Sequence, residues 1–433
     1  MASLIEKSSP VAKNELNLFS LPPTQVAVLR TYDLTFYPKN PLDPAAPILF
    51  DIPPSSDYTD VSNIILILKI RVLRADGAAL TGQAACPINY PLNTIFQQVK
   101  VFSRGKLLWF SGDLYAQKAF IEAALGFPET AKKTFLQAAG WYADNPQHIN
   151  SVQANNPGAF SRIAKTALSN EWEVAGNLHC DIFAHDKCFP SHVPLSLELL
   201  RNSNEFVIQS DGAEIYKLEV MDARLQVRLI QAVPSLNIAF EKMLSKAPAR
   251  FALRRTEMKQ IHLATGRRDL PITEIHQGQL PRRVIACFTR AQSYYGSQQQ
   301  NPFRFEHFGL RQIELTAGGH TYPSDEPLRM DFEHHNFTRA YFNLQKSIQC
   351  SDGSPCTVSM EEFEHGSSYF IFDITPDSSA NSDHFNPLLY GTLLLKVLFS
   401  QALQADVKLY LLLEFDSCLQ MTKDRQFFLD YQV

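Results

Sequence analysis

The 433-residue sequence has few charged residues and no long block of one sign. Asp, Glu, Lys and Arg together make up 19% of the chain, and the formal net charge at pH 7 is -4. Proteins that bind nucleic acid through its phosphates usually carry a basic patch or a basic run. The composition therefore does not indicate direct sequence-specific binding to nucleic acid.

Long hydrophobic runs are also missing. The longest ones, such as residues 64–68 and 409–413, have the length of a β-strand and not that of a transmembrane helix. Residues 1–19 lack the basic start and the apolar core of a signal peptide. We therefore expect a soluble, non-secreted protein without a transmembrane segment.

Cysteine is scarce and irregularly spaced, with seven residues in the chain. An odd number without the spacing of a disulfide framework predicts reduced thiols that serve mostly as small core residues. Cys350 and Cys356 could close a short disulfide loop, but the intracellular interpretation favours the reduced state. The glycosylation sequon at Asn336 is attributed to chance for the same reason.

The sequence has no motif that requires an active site. Arg104-Gly105-Lys106 lacks the earlier glycine and the following Ser or Thr of a phosphate-binding loop, so it predicts a hairpin turn. There is no G-x-S-x-G nucleophile elbow, no H-E-x-x-H zinc helix and no evident acid/base pair of carboxylates. We therefore predict that the protein is not an enzyme, with no catalytic residues, no cofactor-binding residues and no cofactor.

One short segment concentrates potential metal ligands, and zinc would need about four of them converging on one point. These side chains are His179, Cys180, His185, Cys188 and His192. If residues 178–184 form a strand, adjacent residues face opposite sides of it, so His179 and Cys180 cannot both join one site. His334-His335 is the second candidate and is expected at a helix start or an exposed edge. We favour ordinary core and surface roles and predict no metal site.

Aromatic residues raise the alternative of base stacking, which needs rings interleaved with basic residues on one exposed face. The rings in question lie along predicted strands with little charge nearby, so core packing is favoured. They are Phe36, Tyr37, Phe96, Phe110, Phe303, Phe305 and Phe308.

Residues 94–126 predict a β-hairpin that leads directly into an amphipathic helix. Apolar residues alternate along the first strand, Arg104-Gly105 supplies the turn, and Asp113 is expected to cap the helix. Residues 301–348 repeat this plan, with Gly318-Gly319 as the turn and a helical segment after the return strand. The repetition suggests that one structural unit occurs twice in the chain.

The remaining sequence consists mainly of short strand patterns separated by Pro, Gly and Asp turns. In the first half we expect a helical insertion over about 113–143 and a long exposed loop over 144–161. Both halves then show a strand, containing Asp181-Ile182 or Asp373-Ile374, followed by two apolar strands. About eight strands per half fit a jelly roll best.

The predicted fold class is all-β with helical insertions, arranged as two tandem jelly-roll β-sandwiches, that is, a double jelly roll. The expected parts are an N-terminal arm (1–22), jelly roll 1 (23–233), a connecting helix (234–247) and jelly roll 2 (248–433).

With these segments in place, the chain resembles the double jelly-roll major capsid proteins of Polinton or Maverick elements and the related adintoviruses. The segments that carry the resemblance span almost the whole chain, and none of them is a catalytic motif. They are ELNLFSLPPTQ, SNIILILKIRVLRADG, NYPLNTIFQQVKVFSRGKLL, QKAFIEAALG, NLHCDIFAHDK, LPRRV, NPFRFEHF and YFIFDITP.

The resemblance implies a structural protein of an icosahedral virion capsid, made and assembled inside the host cell in the cytoplasm or nucleus. A homotrimer would form a pseudo-hexagonal capsomer that contacts neighbouring capsomers and a penton or minor capsid protein. Residues 1–22 would tie capsomers together, and the loops 144–161 and 295–302 would face outward or toward neighbouring subunits. The helix after the first hairpin would be an insertion between jelly-roll strands that packs beside the sheet, near the shell or a neighbouring subunit.

Two alternatives remain open at this point. A minor capsid, penton-like protein should hold one jelly roll, whereas a second complete module is predicted after residue 240. A carbohydrate-binding or enzymatic β-sandwich should instead show a pocket with converging carboxylates or exposed aromatic residues.

Overall fold

The structure is a computed structural model that describes residues 14–19, 21–82 and 85–430, and antiparallel β-sheets dominate it. The strands of the first half are β1 (Val28–Phe36), β2 (Ile48–Ile52), β3 (Tyr58–Arg74), β4 (Ala85–Pro87), β5 (Phe96–Ser103), β6 (Lys106–Phe110), β7 (Trp172–Asn177), β8 (Leu195–Arg201), β9 (Ile208–Ser210) and β10 (Tyr216–Ala232). The helices of this half and of the connection that follows it are α1 (Pro91–Thr94), α2 (Tyr115–Gly126), α3 (Glu129–Lys132), α4 (Pro157–Thr166), α5 (Asn204–Val207) and α6 (Pro234–Leu244).

The second half begins directly after α6. Its strands are β11 (Ala249–Leu263), β12 (Asp269–Gln279), β13 (Arg283–Arg290), β14 (Leu310–Ala317), β15 (His320–Tyr322), β16 (Leu328–Arg329), β17 (Phe370–Asp373), β18 (Tyr390–Phe399), β19 (Val407–Met421) and β20 (Phe427–Leu429). Its helices are α7 (Ala291–Tyr295), α8 (Thr338–Ser347) and α9 (Met360–Glu364). Short 3-10 helices cover Asn14–Leu16, Phe135–Ala139, Ala167–Ser169 and Asp181–Phe183.

The two halves have the same sheet topology. In the first half the sheets run β1-β10-β3-β7 and β2-β8-β5-β6, and in the second half they run β11-β19-β13-β17 and β12-β18-β14-β15. When the strands of these sheets are counted from one to eight within each half, both halves read 1-8-3-6 and 2-7-4-5. This is the strand order of a jelly roll, so the predicted double jelly roll is confirmed.

Both predicted hairpins are present at the same place in this order, between the fourth and fifth strands. Arg104 and Gly105 have φ angles of 51° and 76°, and Ser103 pairs with Lys106 across the turn. Gly318 and Gly319 have φ angles of 56° and 88° in the second hairpin. Two consecutive positive φ angles match the right-handed twist of a two-residue hairpin. A helix follows each hairpin, α2 in the first half and α8 in the second.

Three local expectations are wrong. The first concerns Asp113, which does not cap α2: Leu114 is the N-cap residue without a side-chain bond, and the Asp113 carboxylate accepts a hydrogen bond from Gln98 instead. The second concerns residues 144–161, which are an exposed loop only in part, since α4 begins at Pro157 and several residues before it are buried. Asn156 is fully buried and its side chain bonds the backbone of the segment at Asn145, Ile149 and Ser151. Side-chain bonds of this kind let an irregular segment pack against the core.

The third concerns the order of elements after α4. Asp181-Ile182 does not lie in a strand, because β7 ends at Asn177 and a 3-10 helix covers Asp181–Phe183. In the second half Asp373 does end a strand, β17. The two halves therefore differ at this point, where the first half makes a turn toward the second.

The two jelly rolls share one hydrophobic core. A single cluster of buried apolar residues contains members of both halves. β19 is buried along almost its entire length on both faces, whereas β3 alternates between buried and partly exposed residues. A strand covered on both sides appears as a near-continuous apolar run, and β19 begins VKLYLLLEF. One face of this sheet contacts its own module and the other is covered by the rest of the chain.

The helix α2 packs at this interface, and ten of its residues are buried within the chain. The Phe120 ring stacks on Phe303 of the second half with centroids 4.1 Å apart and ring planes 5° apart. The Phe120 ring also stacks on the Trp141 ring, with centroids 5.2 Å apart. Part of the segment 295–302 also packs internally, since Gln298 is buried and bonds both the N–H and the carbonyl of Tyr216, whereas Tyr295 is 68% exposed.

We expect Phe120→Ala to lower the free energy of unfolding by about 3 to 5 kcal/mol, because it leaves a cavity between two aromatic rings in a closed interface. The measurement is urea denaturation followed by circular dichroism at fixed protein concentration. Phe160→Ala on α4 is the matched control, since that ring is 42% exposed, and its effect should be small. Equal losses for the two variants would contradict the placement of α2.

Candidate functional site

A buried ionic cluster lies at the meeting point of the two jelly rolls. Lys118 on α2 contacts Glu122 one turn later at 2.7 Å and Asp181 at 2.9 Å, and its side chain is only 2% exposed. Burial alone lowers the pKa of Lys118, but the charges of Asp181 and Glu122 outweigh burial and raise the pKa above its usual value. The three side chains therefore form a charged group that is stable only while all of them are present.

Asp181 connects this cluster to the second jelly roll. Its carboxylate accepts hydrogen bonds from the Trp109 indole at 3.0 Å and from the backbone N–H of Thr256 on β11 at 2.7 Å. The Thr256 hydroxyl donates to the same carboxylate at 2.9 Å. The 3-10 turn that replaces the expected strand is what places Asp181 between the modules.

His179 completes the cluster on the side of the first jelly roll. Its Nδ1 lies 2.8 Å from the Glu122 carboxylate and its Nε2 lies 2.9 Å from the Tyr90 hydroxyl. Both ring nitrogens therefore have partners from protein side chains. The ring is fixed by hydrogen bonds in a structural position.

The other candidate metal ligands of this segment do not converge on His179. Cys180 is buried in the core, and the His185 ring packs between Phe189 and Phe251 at 5.7 and 5.4 Å. In the part of the chain that the structure describes, no group of three or more His, Cys, Asp or Glu side chains is arranged to hold a metal ion. The geometry thus gives these residues packing and pairing roles.

A cleft of about 790 Å³ lies beside the ionic cluster, between α2 and the sheet of the second module. Its apolar part includes Ile121, Leu125 and Phe127. On the opposite side Arg283 contacts Glu414 at 2.8 Å and also donates to the carbonyl of Ser347. Glu122, Asp181 and Glu414 each face a cation, so these three carboxylates do not form an acid/base pair of the kind that hydrolysis needs.

Lys118, Glu122 and Arg283 are site residues that were not predicted from the sequence. A weak signal exists for the first two, because a lysine and a glutamate four residues apart interrupt an otherwise apolar helix segment, YAQKAFIEAALG. Nothing local shows that this pair is buried. Its surroundings come from residues far along the chain, since Lys118 contacts Asp181 and Asp181 in turn bonds Thr256 of the second jelly roll.

The predicted exposed pair His334-His335 binds carboxylates on the surface. His334 Nδ1 lies 2.8 Å from Asp331, and His335 Nδ1 lies 2.8 Å from Glu364.

Cys350 and Cys356 are both free and buried, and the Cys350 thiol faces the Pro355 carbonyl at 3.4 Å. All seven cysteines are described, and all are free.

The aromatic prediction is partly correct. Phe96, Phe303 and Phe305 lie in the core, whereas Tyr37 is 64% exposed and Phe110 is 36% exposed. Phe36 and Phe308 are partly buried against the core. The exposed rings are separate from one another in sequence and do not alternate with a basic run.

Several apolar side chains have no cover within the described chain. Leu16, Leu18, Phe19 and Leu21 near the N-terminus are 75 to 98% exposed, while residues 1–13 of the expected arm lie outside the described residues. A second exposed group precedes and opens β18, and its members are Phe385, Leu388, Leu389 and Tyr390.

No described helix is both long enough and apolar enough to span a bilayer.

We expect Lys118→Met to destabilise the fold by about 3 to 5 kcal/mol, because it leaves two buried carboxylates without their cation. The measurement is the free energy of unfolding from urea denaturation at neutral pH. Lys133→Met is the matched control, since Lys133 pairs with Glu129 at the same four-residue spacing but is 71% exposed, so its loss should stay below about 1 kcal/mol. Similar losses would contradict the burial of the ionic cluster.

His307 predicts a pH dependence of stability. Burial lowers the pKa of its imidazole from 6.5 to about 4, and its Nδ1 accepts a hydrogen bond from the N–H of Gly309. The unfolded chain therefore binds more protons between these pH values, so stability falls as the pH drops from 6.5 toward 4, by roughly 3 kcal/mol in total. In His307→Asn this component should vanish from the slope of unfolding free energy against pH. An unchanged slope in that variant would contradict the assignment.

No protein-family model matches the chain. An uncharacterized protein of Caenorhabditis elegans is 22% identical over 342 residues, which cover 76% of this chain and 80% of that protein.

Solved structures give a more extensive likeness. A chain in the cryo-EM structure of the Sputnik virophage aligns with a TM-score of 0.68 at 11% identity, covering 98% of this chain and 93% of that one. The mavirus major capsid protein aligns with a TM-score of 0.56 at 12% identity, covering 98% and 95%. The faustovirus major capsid protein aligns with a TM-score of 0.57 at 9% identity, covering 96% and 94%. The chain therefore shares its double jelly-roll fold with viral major capsid proteins along nearly its full length.

Proposed function

We propose that this protein is a major capsid protein whose trimers form pseudo-hexagonal capsomers of an icosahedral viral or virus-like shell. The observation that carries the proposal is the repeated 1-8-3-6 and 2-7-4-5 strand order in one chain. Three such chains supply six jelly rolls, which is the number that a pseudo-hexagonal capsomer needs. The aligned mavirus and faustovirus proteins are both major capsid proteins.

The internal interface supports this role. The Phe120–Phe303 stack and the Asp181–Thr256 hydrogen bonds fix the two jelly rolls relative to each other. A capsomer keeps its shape only if the modules of each chain cannot rotate independently. The charged residues described beside the cleft form structural pairs: Lys118 with Glu122 and Asp181, and Arg283 with Glu414. This pairing supports a non-enzymatic role.

The exposed apolar side chains support self-association. Obligate interfaces usually bury more than about 2,000 Å² and are rich in apolar and aromatic residues. Phe385, Leu388 and Tyr390 are 46%, 55% and 71% exposed in the single chain. We assign this group to the contact between chains of the trimer, and the N-terminal arm to contacts between capsomers.

The finer parts of the proposal follow the sequence resemblance. They place the protein among the capsid proteins of Polinton or Maverick elements and adintoviruses, in a virion assembled in the cytoplasm or nucleus of the host cell. A penton or minor capsid protein would occupy the fivefold positions. The functional parts are residues 1–22 as the arm, 23–233 and 248–433 as the jelly rolls, and 234–247 as the connection.

We expect the purified protein to have a mass three times the 48.9 kDa of one chain in light scattering, and to show hexagonal particles or closed shells in negative-stain images. The double variant Leu388→Asp/Tyr390→Asp should shift the mass to that of one chain, because it places charge in an apolar contact. Its circular dichroism should stay that of the native fold.

Phe160→Asp on α4 is the control for this experiment, because it changes a single exposed ring outside the 385–390 group. It should remain trimeric. A strict monomer for the unmodified protein at high concentration would refute the shell proposal. A trimer that survives the double variant would refute only the assignment of this surface.

A further inference from the structure

The outward half of the connecting helix α6 combines apolar and basic side chains. Leu236, Ile238 and Met243 are 40%, 70% and 72% exposed, and Leu244 is the helix residue that is fully buried. Lys242 lies one turn after Ile238, so the two side chains are neighbours on the exposed side. A helix in a soluble protein usually turns its apolar residues inward, and α6 leaves most of them uncovered.

Lysines and an exposed aromatic ring also lie next to α6, on the adjacent part of the second jelly roll. Lys246 after α6, Lys423 and Phe428 line a common groove of about 410 Å³. Phe428 is 50% exposed, and the Lys106 ammonium lies 5.1 Å from its ring centroid while donating to the Phe427 carbonyl. We call this surface the α6 face. It consists of Lys106, Leu236, Ile238, Lys242, Met243, Lys246, Lys423 and Phe428.

The α6 face is positively charged although the chain as a whole has a net charge of -4. Among the described residues, its four lysines form no ion pair within 4.0 Å. Glu241 on α6 is neutralised by Arg425. Asp424 is the acidic side chain that lines the groove. The α6 face therefore carries a net positive charge, with four lysines against the carboxylate of Asp424.

We propose that the α6 face binds the surface of an anionic lipid bilayer. Helices that lie on membranes place apolar side chains at the boundary of the acyl chains and keep lysines at the level of the headgroups. Ile238 has Lys242 four residues after it, and Met243 has Lys246 three residues after it, so each exposed apolar side chain has a lysine as its neighbour. This matches the arrangement on membranes, and anionic headgroups complement the lysines. A nucleic acid would use the lysines but leave the apolar side chains exposed to water, so lipid fits the surface better.

This inference goes beyond the shell role and does not depend on it. A single chain or a trimer presents the same α6 face to a vesicle. If the protein assembled into a shell, the face would mark the side turned toward a lipid layer. Failure to bind lipid would leave the evidence for a capsid subunit unchanged.

The test is sedimentation of the full-length protein with vesicles of phosphatidylcholine and phosphatidylserine in equal amounts, compared with vesicles of phosphatidylcholine alone. The protein should bind the mixed vesicles, and added salt should weaken binding. Ile238→Ser/Lys242→Glu should reduce the affinity at least about fivefold, since each lysine near an anionic surface contributes a factor of that size. Lys246→Glu/Lys423→Glu should weaken binding as well.

The chain offers a closely matched control on α8. Phe342 is 68% exposed and exposed Lys346 follows it by four residues, as Lys242 follows Ile238. Phe342→Ser/Lys346→Glu should therefore bind the mixed vesicles like the unmodified protein. The proposal is overturned by no binding to mixed vesicles, by equal binding to neutral vesicles, or by an equal loss in the α8 variant. A fourth result would favour nucleic acid over lipid and overturn the proposal. In it the unmodified protein binds duplex DNA but no vesicles, and the α6 variants lose DNA binding while the α8 variant keeps it.

Discussion

The structure depends on the burial of one β-sheet on both of its faces. The sheet β11-β19-β13-β17 closes the core of the second jelly roll on one side and contacts the first half of the chain on the other. β13 and β19 are accordingly buried along nearly their entire length. This removes a large apolar area from water, and it makes the two modules one unit instead of two domains on a linker.

Such an interface imposes a condition on every polar group inside it. A buried charge is tolerated only with a partner and with its remaining hydrogen bonds satisfied. Lys118 meets this condition through Glu122 and Asp181, and Arg283 meets it through Glu414. The pairs also restrict how the modules can fit, because Asp181 must reach Thr256 across the boundary.

The surfaces that remain exposed differ in character. The group at residues 385–390 is apolar, whereas the α6 face combines apolar side chains with unpaired lysines. A purely apolar surface suits a permanent contact with another copy of the chain. A mixed basic and apolar surface suits a lipid headgroup layer. Different sides of one chain can therefore suit different partners.

The sequence by itself determined the features that depend on short-range chemistry. The two hairpins follow from Arg104-Gly105 and Gly318-Gly319, because these residues adopt positive φ angles in a two-residue turn. The alternating strands and the repetition of their order predicted two jelly rolls. The position of α2, the turn at Asp181 and the partial burial of residues 144–161 and 295–302 were decided only by tertiary structure. Each of these features has a partner far along the chain, as Phe303 is for Phe120 and Gln209 is for the carbonyl of Ile149. A local pattern carries no information about a contact across that distance.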